Sequence, residues 1–127
     1  GRDDLPRREA LVEAYDAIEA HERRLCSRII EGLMGIEGIK IWGITEKDEL
    51  INRAPTISFT HPKMTATEIG GALAERGIFV WSGNFYALEL TEALGLEPEG
   101  VLRAGVLHYN TIEEVERFIG AVSEIIP

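Results

Sequence analysis

The chain has 127 residues, a length that accommodates one ordinary core and can bury roughly two thirds of its unfolded surface without covalent staples. Its 22 acidic side chains outnumber 13 basic ones, for a formal charge of −9, and no Lys/Arg cluster interrupts that field. Such a surface repels phosphate backbones and anionic bilayers, which excludes nucleic acid and membrane surfaces as expected partners.

The first segment, from about Pro6 to Met34, reads as one long helix. Pro6 suits a first-turn position, where its missing N–H costs nothing. Leu11, Tyr15, Ile18, Leu25, Ile29 and Leu33 recur at helical spacing, interrupted by Glu22, while the opposite face is charged. Gly35 and Gly38 end the helix. Cys26, the only cysteine, lies on it next to Leu25, which reads as a packed thiol rather than a nucleophile. A single cysteine forms no internal disulfide and suits a reducing, cytoplasmic setting.

Four β-rich runs follow: Ile39–Trp42, Thr56–Thr60, Ile78–Trp81 and Leu102–His108, each bounded by Gly, Pro or polar residues. Between them lie helices with legible starts. Thr65-Ala66-Thr67-Glu68 and Thr111-Ile112-Glu113-Glu114 both fit the capping box, in which Thr and the Glu three residues on satisfy each other's backbone N–H. The first of these helices runs to Arg76 and the second to about Ile126, with a shorter one over Ala87 to Leu94. The order α-β-β-α-β-α-β-α predicts an α+β two-layer sandwich, with a mostly antiparallel or mixed sheet of three or four strands and helices packed on one face. Residues 1–34 form a long helix that packs on an α/β domain of residues 35–127. No run of about 18 apolar residues is present to span a bilayer, and Gly1 to Ala10 carry no apolar signal core. A start at Gly1-Arg2-Asp3-Asp4 rather than Met is expected of an excised or cloned fragment, or of a processed terminus.

Common catalytic signatures are missing: no G-x-S-x-G elbow, P-loop, H-E-x-x-H or paired-cysteine zinc site occurs. His21, His61 and His108 are scattered over different elements, so no metal site is expected. Two stretches hold more chemistry. In Gly77 to Glu89, a strand runs into the Gly83-Asn84 turn and delivers Phe85 and Tyr86; they either tuck beneath the following helix or meet a ligand or another domain. In Val101 to Thr111, alternation puts Leu102, Ala104 and Val106 on one face and Arg103, Gly105 and Leu107 on the other. Arg103 among small and apolar neighbours calls for a partner, either a structural acid or a ligand carboxylate held by a bidentate fork.

Four stretches carry a family likeness: Arg53-Ala54-Pro55-Thr56-Ile57-Ser58-Phe59, Ala74-Glu75-Arg76-Gly77-Ile78, Leu102-Arg103-Ala104-Gly105, and Tyr109-Asn110-Thr111-Ile112-Glu113-Glu114-Val115. In this order they resemble the C-terminal small domain of class V pyridoxal-phosphate-dependent enzymes, in the cysteine desulfurase-like branch. The resemblance implies that residues 1–34 are a linker helix and residues 35–127 a small domain that closes over pyridoxal phosphate held by a large domain, which this chain lacks, in a homodimer acting on an amino acid. It implies that Arg103 binds the substrate α-carboxylate, with Asn84 and Tyr86 as further substrate-binding residues on an active-site lid over Ser82 to Tyr86. No residue here matches the Schiff-base lysine, since Lys63 sits in a small-domain loop. Tyr86 stands at about the place of the desulfurase cysteine, and a phenol cannot replace a thiolate that accepts sulfur. This fragment alone is therefore expected to be inactive. Transamination, β-elimination or racemisation by the full enzyme is compatible with the sequence. The alternative is a free-standing carboxylate-binding or dimerisation module without catalysis.

Overall fold

The apolar stripe folds as α1 (Arg7–Met34), and its capping-box neighbours fold as the sequence foretells. The computed structural model describes residues 6–127; Gly1 to Leu5, read above for a signal core and a fragment start, lie outside the described residues. After α1 come β1 (Lys40–Trp42), a short 3-10 helix over Lys47–Asn52, β2 (Thr56–Thr60), α2 (Ala66–Glu75), β3 (Trp81–Gly83), α3 (Leu88–Ala93), β4 (Val101–Gly105) and α4 (Ile112–Ile125). The 3-10 helix is the one element the sequence reading omits. Both capping boxes form. The Thr65 hydroxyl accepts the Glu68 N–H at 3.2 Å while the Glu68 carboxylate accepts the Thr65 N–H at 2.8 Å. Thr111 and Glu114 repeat the exchange at 3.3 and 2.9 Å.

The sheet has the order β1-β2-β4-β3, with every neighbouring pair antiparallel. Alternation along β2 and β4 sends Ile57, Phe59, Leu102 and Ala104 to one face, where all are buried. There they meet Ile69 and Leu73 of α2, Val115, Phe118 and Val122 of α4, and Leu25, Ile29 and Leu33 of α1. Phe59 and Phe118 pack edge to face, with centroids 6.5 Å apart. Full burial of each large apolar side chain contributes about 1.5–3 kcal/mol, so this cluster decides which face of the sheet is covered. The fold is α+β.

Three details differ from the expectation. The α1 stripe enters the core only from Leu25 onward; Leu11 and Tyr15 are 49% and 67% exposed, because no part of the sheet reaches that half of the helix. The third strand pairs at Trp81–Gly83 rather than from Ile78. The Ile78 N–H donates to Leu73 O at the end of α2 instead of to β4. Its alternation persists: Ile78 and Val80 pack against the core, and Phe79 projects outward. Finally, β4 stops at Gly105 rather than His108. The Asn110 side chain takes the Leu107 N–H at 2.8 Å, which withdraws that donor from any ladder and begins a turn.

Arg53 locks the far side of the sheet. Its guanidinium donates to Ile44 O at 2.6 Å, Trp42 O at 3.3 Å and Thr56 O at 3.1 Å, tying the ends of β1 and β2.

Candidate functional site

The face of the sheet opposite the core carries the chemistry. Cross-strand register places Trp42 of β1, Ser58 of β2, Arg103 of β4 and Trp81 of β3 in one row. Side chains at directly opposed positions in a sheet are neighbours, so this row is continuous. Arg103 is exposed on this face. Its charge is therefore solvated, and the structural acid that a buried position would demand is absent: no carboxylate makes a salt bridge with Arg103 among the described residues. What it does contact is Phe85, whose ring centroid lies 3.7 Å from Cζ.

Beyond β3 the chain turns sharply. Phe85 and Tyr86 have φ of 56° and 62°, in the left-handed region that non-glycine residues rarely adopt. The Asn84 side chain holds the turn, its Oδ1 accepting the Tyr86 N–H at 3.2 Å, while Ala87 N–H donates to Asn84 O at 2.9 Å. Gly100 backs the turn from behind. A Cβ there would stand 2.2 Å from the Gly83 carbonyl carbon and 2.7 Å from Asn84 N, so only glycine lets the two backbones approach.

Together Trp81, Ser82, Gly83, Asn84, Phe85, Tyr86 and Arg103 line an open recess of about 440 Å³. The three residues singled out in the sequence, Arg103, Asn84 and Tyr86, thus come together in one place. Arg103 is the single charged side chain lining it. Tyr86 is fully exposed, so the reading in which both aromatics tuck beneath α3 fails for it. Sequence reasoning left out Trp81 and the contact between Phe85 and Arg103; the signal for Trp81 was its two-residue spacing from Phe79 on the same outward face.

The remaining chemistry-bearing residues have structural partners. His21 Nε2 lies 2.9 Å from Asn110 O, and His61 Nδ1 accepts the Lys63 N–H at 3.3 Å. Among the described residues no three His, Cys, Asp or Glu side chains group as a cation site. Cys26 is buried; burial pushes its thiol up, against the opposing pull of the Arg53 guanidinium beside it. No helix among the described residues is long and apolar enough to cross a membrane.

The profile described as aminotransferase class-V matches residues 12–118. The chain belongs to the class V aminotransferase family. Among its relatives are an aminotransferase-like protein of Gibberella zeae, 37% identical over 90% of this chain and 29% of that protein. A probable cysteine desulfurase of Mycobacterium leprae is 36% identical over 84% of this chain and 24% of its own length. The apo structure of a cysteine desulfurase from Thermococcus onnurineus superposes with a TM-score of 0.79 at 32% identity, covering 87% of this chain and 26% of that one. The chain spans about a quarter of the length of the curated relatives it matches.

Class V membership implies pyridoxal phosphate, whose aldehyde needs a lysine amine and an enclosing pocket. The lysines of this chain do not provide them. Lys40 lies 3.7 Å over the Trp42 ring, Lys47 pairs with Glu31 at 3.4 Å, and Lys63 is exposed in the loop after β2. None lines the recess around Arg103.

Proposed function

We propose that this chain acts as the small domain of a pyridoxal-phosphate-dependent enzyme that transforms an amino acid. Arg103 binds the substrate α-carboxylate, and the Ser82 to Tyr86 loop serves as a lid over it. The cofactor, which supplies the electron sink for the chemistry, is held by a large domain of the same polypeptide. The active unit is a homodimer, and the site of action is the cytoplasm. The observation that carries this reading is Arg103 itself: a lone cation in an open recess, paired with no acid among the described residues, with its in-plane donors available to a planar anion. Asn84 shapes the lid, and Tyr86 presents its phenol to whatever fills the recess.

Tyr86 also directs the choice of reaction. A phenol oxygen does not accept sulfur as a thiolate does. The reading is therefore transamination, β-elimination or racemisation rather than desulfuration through a protein persulfide.

The experiment is Arg103→Ala in the full-length enzyme, with kcat/KM and melting temperature measured on the same preparation. Once the closing domain covers the pair, truncating one partner of a desolvated charge pair costs about 2–5 kcal/mol, or about 30- to several-thousand-fold in kcat/KM. Arg103→Lys restores little, because a point charge lacks the fork. Unchanged kinetics with a lowered melting temperature would remove Arg103 from the site.

A further inference from the structure

We infer that Phe85 is a positioning residue for Arg103, holding the guanidinium flat against one ring face so that its N–H edge stays open to a carboxylate. This rests on the assignment of Arg103 as the carboxylate contact.

An arginine on an exposed sheet face has a long, flexible side chain, and nothing on its own strand fixes the plane of its guanidinium. Here the Phe85 ring centroid lies 3.7 Å from Cζ, a stacking distance. The donors of a guanidinium lie in its plane, so a ring over one face takes none of them. It also excludes water from that face, and the ring's negative face attracts the cation. A carboxylate approaching in the plane then meets an oriented fork, and less freedom is lost on binding. The partner acid that would compete for the fork is missing, since no salt bridge engages Arg103 among the described residues.

The sequence places Phe85 there at a conformational cost. Two consecutive non-glycine residues, Phe85 and Tyr86, are held at left-handed φ, and the Asn84 side chain and the bare Gly100 hold that turn in place. Strained backbone of this kind persists where the surroundings over-determine it, and here its product is the ring over Arg103.

The test uses the full-length enzyme loaded with pyridoxal phosphate, and two probes: L-cysteine and cysteamine, which differ by the carboxylate. Dissociation constants are read from the cofactor's visible absorption in the parent protein, Arg103→Ala, Phe85→Ala, Phe85→Leu and Phe85→Tyr. The Arg103 Nε–H resonance is followed in parallel as a probe of stacking that needs no substrate. The expected result is that the preference for L-cysteine over cysteamine is lost in Arg103→Ala and falls about three- to thirtyfold in Phe85→Ala and Phe85→Leu, the size of a cation–π contact. Phe85→Tyr keeps both the preference and the shifted resonance. If Arg103→Ala loses the preference while both Phe85 truncations keep it, or if the resonance does not move in Phe85→Leu, the positioning role is overturned and the carboxylate assignment stands. A parent protein without the preference, or an Arg103→Ala variant that retains it, overturns the carboxylate assignment and the positioning role with it.

Discussion

Gly43 leaves bare the space that the Arg53 guanidinium fills: a Cβ at that position would stand 2.8 Å from Arg53 Nη1. Gly43 also has φ of 99°, so an L side chain there would be strained even with room to spare. Gly43→Ala is expected to destabilise the protein by about 1–3 kcal/mol, combining backbone strain with displacement of the three carbonyl contacts of Arg53. The midpoint of urea unfolding measures it. A midpoint equal to the parent's would mean that Arg53 moves aside freely and does not lock the sheet.

Cys26 should be unreactive while the protein is folded. Burial raises its thiol pKa, and although Arg53 opposes that rise, the net direction is upward. The thiolate is the nucleophile, so a buried, protonated thiol reacts only when the structure opens. Incubation with a chromogenic disulfide near neutral pH should label Cys26 slowly, and denaturant should make labelling immediate. Mass spectrometry after incubation of the full-length enzyme with cysteine should find no added sulfur on Cys26. A persulfide there would return desulfuration to consideration.

Acid should weaken the protein through its helix caps. Hydrogen bonds from the Thr65 backbone hold the Glu68 carboxyl below its ordinary value of 4.5, and those from Thr111 do the same for Glu114. Groups whose folded pKa is depressed contribute stability that is present above about pH 4.5 and lost as pH falls below it, through the folded value. Melting temperature should therefore be flat on the neutral side of that range and decline on the acid side. In Glu68→Gln combined with Glu114→Gln, the amides can still cap but no longer titrate, so the acid decline becomes shallower. An identical decline in the double variant would assign acid sensitivity to other carboxylates.

Gly100 offers a way to move the lid without touching it. Gly100→Ala drives a methyl into the Gly83–Asn84 backbone, which cannot yield as a flexible side chain would. The expected outcome in the full-length enzyme is a rise in KM for its amino acid, measured beside the melting temperature of the same variant, because the clash shifts the turn that carries the lid. Loss of stability alone, with KM unchanged, would separate the turn from substrate binding.

Much of this architecture was legible beforehand, and the reason is local. Thr65 with Glu68, and Thr111 with Glu114, each determine a helix start within four residues. The alternation of Leu102, Ala104 and Val106 assigned the faces of β4 and set Arg103 opposite them, although its exposure, where a partner was expected, came only with the structure. What stayed hidden depends on neighbours distant in sequence. Ile78 bonds to α2 rather than to β4, which delays the third strand to Trp81; no propensity reports that competition. The contact of Phe85 with Arg103 needs both the β3–β4 register and two left-handed residues outside glycine, a combination that local preference argues against. The exposure of Leu11 and Tyr15 was likewise unreadable, since helical spacing marks an apolar stripe without saying how much of it a small sheet can cover.

That uncovered half of α1 gives the molecule a lever arm. From His21, which bonds to Asn110, to Met34 the helix is anchored to the body of the domain; from Arg7 to Ala20 it extends about 21 Å at the helical rise. Helical backbone is stiff, so both ends must turn together. Tilting the domain by about 5° about its anchor swings the free end through about 2 Å, and conversely a fixed free end restrains the domain's orientation. Any rigid-body motion that carries the Arg103 recess therefore has a mechanical readout at Leu11 and Tyr15.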